Sequence, residues 1–137
     1  MRINLGVFLF ALSLSLPLGG ATFAQATYEQ VAELKTAKQF VAAGAEKLSA
    51  ADFSKKIVGK QMNGGGWSWI IKKDGTTDSV SDDGSWKEVG APWTLKGDQY
   101  CIVEKGKDKC RSVYLLGNLM RMEEKSGKLS PWTAQLR

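Results

Sequence analysis

Residues 99–116 read Gln-Tyr-Cys-Ile-Val-Glu-Lys-Gly-Lys-Asp-Lys-Cys-Arg-Ser-Val-Tyr-Leu-Leu. β-Branched and aromatic residues fill both arms, and Gly106 supplies a turn between them. The stretch is therefore predicted to be a hairpin of strands over 99–104 and 109–116. If Cys101 lies opposite Cys110, Tyr100 pairs with Arg111 and Gln99 with Ser112. Side chains alternate along a strand, so Tyr100, Ile102, Val113 and Leu115 share a face apolar enough to meet a core. Cys101, Cys110, Gln99 and Ser112 share the other.

The same grammar extends on both sides. From Gln61 onward, turn signals recur at short intervals: Asn63-Gly64-Gly65-Gly66, Asp74-Gly75, Asp83-Gly84, Lys96-Gly97-Asp98, Gly117-Asn118 and Ser126-Gly127. Strands are predicted over 66–73, 76–81, 85–89, 92–96, 99–104, 109–116, 119–124 and 129–135. The fold class is mainly β, an antiparallel meander or small barrel of seven to eight strands. An N-terminal helical segment precedes it. Val31, Leu34 and Val41 recur at helical spacing over 28–43. Ser49-Ala50-Ala51-Asp52 has the spacing of a capping box before a short helix that turns Phe53, Ile57 and Val58 inward. Small-Pro-Trp-Thr occurs at Ala91–Thr94 and again at Ser130–Thr133, each placed at the entry to a strand.

The first residues bear on compartment. Arg2 precedes an apolar run from Leu5 to Leu18, and Ala24-Gln25-Ala26 offers the small residues that a signal peptidase accepts. The run is about 14 residues, short of the ~20 that span a bilayer core. The reading is a cleaved export signal over 1–26, with cleavage after Ala26. A helical segment over 27–60 and a β domain over 61–137 follow, with no membrane span in the mature chain. The protein is then periplasmic or secreted. In an oxidising compartment, Cys101 and Cys110, the only cysteines, read as a structural disulfide.

Composition narrows the chemistry. There is no histidine, which removes Ser-His-Asp and Cys-His catalysis and the usual zinc and copper ligand sets. The formal charge of +5 falls to +4 once Arg2 is removed. The lysines are spread, at 55, 56 and 60, at 72 and 73, and at 105, 107 and 109, rather than massed as in a nucleic-acid arm. No nucleic-acid partner, metal or cofactor is expected.

Five tryptophans remain to be placed: Trp67, Trp69, Trp86, Trp93 and Trp132. Trp67 and Trp69 share one strand face, opposite Ser68 and Ile70. They either plug the core or form an outward platform on which sugar rings could stack. The candidate ligand-binding set is Trp67, Trp69, Trp86 and Trp93. Asp74, Asp78, Asp82 and Asp83 crowd one stretch without calcium-loop spacing, and Asp74-Gly75 and Asp83-Gly84 are explained by turns. Gly64-Gly65-Gly66 lacks the Lys-Ser/Thr of a phosphate loop and serves to bring the chain out of the helical segment into the first strand. No spacing singles out a catalytic acid pair among Asp82, Glu88, Glu104 and Glu123, and no catalytic residue is assigned.

In order along the chain, Leu48-Ser49-Ala50-Ala51-Asp52, Asp74-Gly75-Thr76, Gly84-Ser85-Trp86 and Tyr100-Cys101 … Cys110 resemble a family of small exported bacterial proteins of unknown function. The resemblance covers about 48–135. It implies a small antiparallel β domain with a disulfided hairpin and brings no catalytic residue. The expected function is non-enzymatic binding of an envelope or extracellular ligand, a glycan or an envelope protein. Inhibition of an envelope hydrolase such as a lysozyme, to whose periplasmic inhibitor barrels the chain has a more distant likeness, is a second reading. A carboxylate-based glycan-acting enzyme is a third.

Overall fold

Short strands do follow each turn signal, and they close on themselves. The computed structural model describes residues 25–137; the export signal expected over 1–26 falls, apart from Gln25 and Ala26, outside them. The elements are α1 (Tyr28–Glu33), α2 (Ala37–Ala42), β1 (Glu46–Lys47), α3 (Ala50–Lys56), β2 (Gln61–Asn63), β3 (Trp67–Ile71), β4 (Thr76–Ser81), β5 (Lys87–Lys96), β6 (Gln99–Glu104), β7 (Lys107–Leu116), β8 (Leu119–Glu123) and β9 (Ala134–Leu136). β2 to β8 pair in succession except that β9 stands between β8 and β2, which closes an antiparallel barrel of eight strands. β1 lies outside the ring, with Glu46 opposite Leu115 of β7.

The hairpin of β6 and β7 has the predicted register: Gln99 opposite Ser112, Tyr100 opposite Arg111 and Cys101 opposite Cys110. Cys101 and Cys110 are joined in a disulfide. Tyr100, Val113 and Leu115 are buried in the barrel interior with Met62, Ile71, Met120 and Met122. α3 stoppers one end of the barrel with Phe53, Ile57 and Val58. It starts as read from the sequence, with the Ser49 hydroxyl accepting from the Asp52 amide at 3.1 Å. A second apolar layer lies outside the sheet. Val31, Ala37 and Phe40 pack there on Tyr114 and Leu119, whose side chains leave the barrel outward.

Four expectations are corrected. The helix predicted over 28–43 is two helices, because Thr36 starts a new one: its hydroxyl accepts from the Gln39 amide, and the Gln39 side chain accepts from the Thr36 amide. Strands 85–89 and 92–96 are one strand, β5. Gly90 adopts a positive φ of 74° and its amide donates to the Asp78 carboxylate at 2.9 Å, so the chain bulges there instead of turning back. Residues 61–63, assigned to no strand, form β2, and the glycine run turns β2 into β3 rather than a helix into a strand. The strand expected over 129–135 shrinks to β9. Trp132 and Thr133 precede it, so the two small-Pro-Trp-Thr copies are not equivalent: Pro92 lies within β5, and Pro131 lies before β9.

Candidate functional site

β5 is shared between two neighbours. Its first half, Lys87–Pro92, pairs with β4, and its second half, Trp93–Lys96, pairs with β6. No pairing joins Lys87–Pro92 to β6, so the barrel is splayed at the end opposite α3. A cavity of about 310 Å³ opens there.

The strand alternation decides what faces it. Trp67 and Trp69 point inward on β3, opposite Ser81 and Ser79 of β4. Glu88 is opposite Ser79 and therefore also inward. Arg111 is opposite Tyr100, on the core face of the hairpin. Trp132 completes the wall, edge-on to both Trp67 and Trp69 with ring centroids 5.8 Å apart in each case. Trp69 in turn meets Tyr100 edge-on at 5.8 Å. Offset and edge-on arrangements of this kind are the favourable ones for aromatic rings.

The close approach of Trp67 explains one glycine. A Cβ on Gly64 would fall 2.1 Å from the Trp67 indole, so the turn before β3 accepts this ring only over a bare backbone. The turn is closed by the Gly64 amide donating to the Trp67 carbonyl at 2.9 Å.

The candidate residues thus separate. Trp67 and Trp69 are half-buried and line the mouth. Trp86 stands on its lip, 47% exposed. Trp93 lies deeper, between Phe53 and Tyr100, with its indole N–H donating to the Lys72 carbonyl at 3.0 Å; it supports the floor and does not line the opening. The rings are neither a sealed core nor an outward platform, because the barrel turns one sheet face inward while leaving that end open. Trp132, Tyr100 and Arg111 are not among the sequence candidates, and Glu88 is one only as an acid of no assigned pair. Trp132 precedes its strand, so alternation could not orient it. For Tyr100 and Arg111 the hairpin register had already indicated the face.

The polar groups lining the mouth include Glu88 and Arg111. The Arg111 Nε donates to Glu124 at 3.1 Å. Burial pushes the Tyr100 phenol up from its ordinary pKa, with Arg111 opposing and Glu88 adding to the shift. Elsewhere four carboxylates are held by hydrogen bonds or by lysines. Hydrogen bonds from Ser85 hold Asp83 down at about 2, and bonds from Thr76 lower Asp74. The Gly90 amide and Lys72 lower Asp78, and Lys109 lowers Glu104. Among the described residues no three His, Cys, Asp or Glu side chains gather as a metal cage, and no helix is long and apolar enough to cross a membrane.

The chain matches no family model, no curated protein and no solved structure.

Proposed function

We propose that the protein is an exported, non-enzymatic binding module that takes a compact, largely apolar ligand end-on into the splayed mouth of its barrel. The observation that carries this is the cavity of about 310 Å³ between Trp67, Trp69 and Trp132, a size and lining typical of small-molecule sites. An extended glycan is less well served, since Trp132 stands edge-on to Trp67 and Trp69, which are themselves tilted by 59°, and the three offer no common flat face. Non-enzymatic binding accords with the sequence's lack of histidine, which leaves no Ser-His-Asp or Cys-His set. Export accords with the disulfide and with the apolar run before Ala26.

Titration of the purified, oxidised protein with the uncharged fluorophore N-phenyl-1-naphthylamine tests the reading. Energy transfer from tryptophan to the bound probe is expected. Ala91→Phe, which fills the mouth from β5 without removing any core side chain, should abolish it while the circular dichroism stays unchanged. Undiminished probe binding to a folded A91F protein would refute the site.

A further inference from the structure

Beside the mouth lies a second hollow, lined by Glu104, Lys105, Lys107, Asp108, Lys109 and Lys125. Four ammonium groups face two carboxylates there. Glu104 is paired with Lys109, and Asp108 reaches out to Lys96. Among the described residues, Lys105, Lys107 and Lys125 have no carboxylate partner within 4.0 Å.

The two hollows share a wall. Lys109 and Arg111 alternate on the same face of β7, one lining the basic hollow and the other the aromatic mouth. Two residues along a strand span about 7 Å. Glu124, which holds Arg111, is followed directly by Lys125. The lip between them carries Val103, which borders the mouth from the outward face of β6 and is 58% exposed. A chain lying across this lip would have an apolar part among the indoles and its end among unpaired lysines.

From this juxtaposition we infer that the ligand is an amphipathic anion: an apolar body seated against Trp67, Trp69 and Trp132, with a carboxylate or phosphate head on Lys105, Lys107 and Lys125. The inference rests on the mouth being a ligand site and names the class of molecule it takes. Arg111 is not the main anion partner, because Glu124 already neutralises it. The three lysines are long, exposed and unpaired, so they act as an electrostatic clamp that added salt screens.

The test compares decanoate with decanol, which share a chain and differ in charge, both below micelle-forming concentrations, by displacement of N-phenyl-1-naphthylamine. Decanoate should compete about tenfold more strongly than decanol at low salt, since three exposed ion pairs of ordinary strength supply a factor of that order. The K105Q/K107Q/K125Q variant should lose that preference and leave decanol binding unchanged. Equal binding of the two compounds, or a preference that survives the lysine replacements, overturns the inference while leaving the apolar mouth in place. Failure of both compounds to compete removes the mouth reading as well. A further arm separates a free amphiphile from a bilayer lipid: sedimentation with phosphatidylglycerol vesicles but no binding of monomeric decanoate would make the basic hollow a membrane contact and overturn the clamp.

Discussion

Replacing Arg121 by methionine should detach the outer helical layer from the barrel. Arg121 leaves β8 outward, beneath α1, and is 2% exposed. Its Nη1 donates to the Val31 carbonyl at 2.8 Å and the Leu34 carbonyl at 2.7 Å, and its Nη2 donates to Ser130. Val31 and Leu34 lie at the C-terminal end of α1, where the Leu34 carbonyl has no helical partner, the Val31 carbonyl has only the Leu34 amide, and a cation is favoured. The guanidinium is therefore the cap that α1 does not carry in its own sequence. Each charge-assisted bond contributes about 1.5–3 kcal/mol, so the three together contribute roughly 5–9 kcal/mol. Against this stand the desolvation of the charge, several kcal/mol, and the Nε donor, which has no partner among the described residues. Methionine is of similar size but strands the Leu34 and Ser130 carbonyls in an apolar layer, while the Val31 carbonyl keeps the Leu34 amide at 3.2 Å. Each buried carbonyl left unpaired costs about 1–3 kcal/mol, so the pair removes a large part of the roughly 5–15 kcal/mol that such a domain has. Urea denaturation of Arg121→Met, read by circular dichroism, should show a loss of about 3 kcal/mol or more. Amide exchange should speed up first at Val31 and Leu34, whose N–H groups hold the helix turn. Arg121→Lys, with charge but no fork, should fall between the two. A stability loss below about 1 kcal/mol for R121M, the scale of an ordinary substitution, with α1 protection intact, would refute the assignment.

Two further outcomes are expected. The double variant C101S/C110S opens a ten-residue loop and should lose about 2–3 kcal/mol, seen by calorimetry as a fall in Tm of about 10 °C; an unchanged Tm would show that the paired strands alone restrain the hairpin. The phenols set an alkaline limit. Burial pushes Tyr100 up, and burial together with the hydrogen bond to Glu123 pushes Tyr114 up to about 12. Free tyrosine titrates near 10, so stability held by the neutral phenols is full below pH 10 and drains away as pH rises from 10 toward 12. Denaturation midpoints measured across that range should fall, and should fall less steeply in Tyr114→Phe; a flat profile would count against both shifts.

Much of the architecture was legible because it rests on local rules. Gly106 and the alternation on either side of it determined a hairpin and its register, and the cysteines locked the same register. Ser49 and Asp52 marked the start of α3, and the Asp-Gly pairs marked their turns, since each of these signals acts within four residues. The helix break was legible as well: Thr36 and Gln39 repeat the spacing of Thr27 and Gln30, both of which form capping boxes. The apolar residues at helical spacing masked it.

Other features depend on groups far apart in the chain. Gly90 is a turn signal by type, and only the Asp78 carboxylate across the sheet makes it a bulge inside β5. Residues 61–63 are too short to register as a strand alone, and they become one by lying between β3 and β9. Closure of the ring by β9 is likewise a contact between the two ends of the β region.

The tryptophans show the division most clearly. Composition and period two established that Trp67 and Trp69 share a face, and could say no more, because a face has no inside until the sheet closes. Closure turned that face toward the barrel axis, the parting of β5 from β6 kept one end open, and Trp132 arrived from 63 residues beyond Trp69 to finish the wall. Which residues alternate is a property of the backbone and is written locally; what they enclose depends on long-range pairing and is decided only by the folded chain.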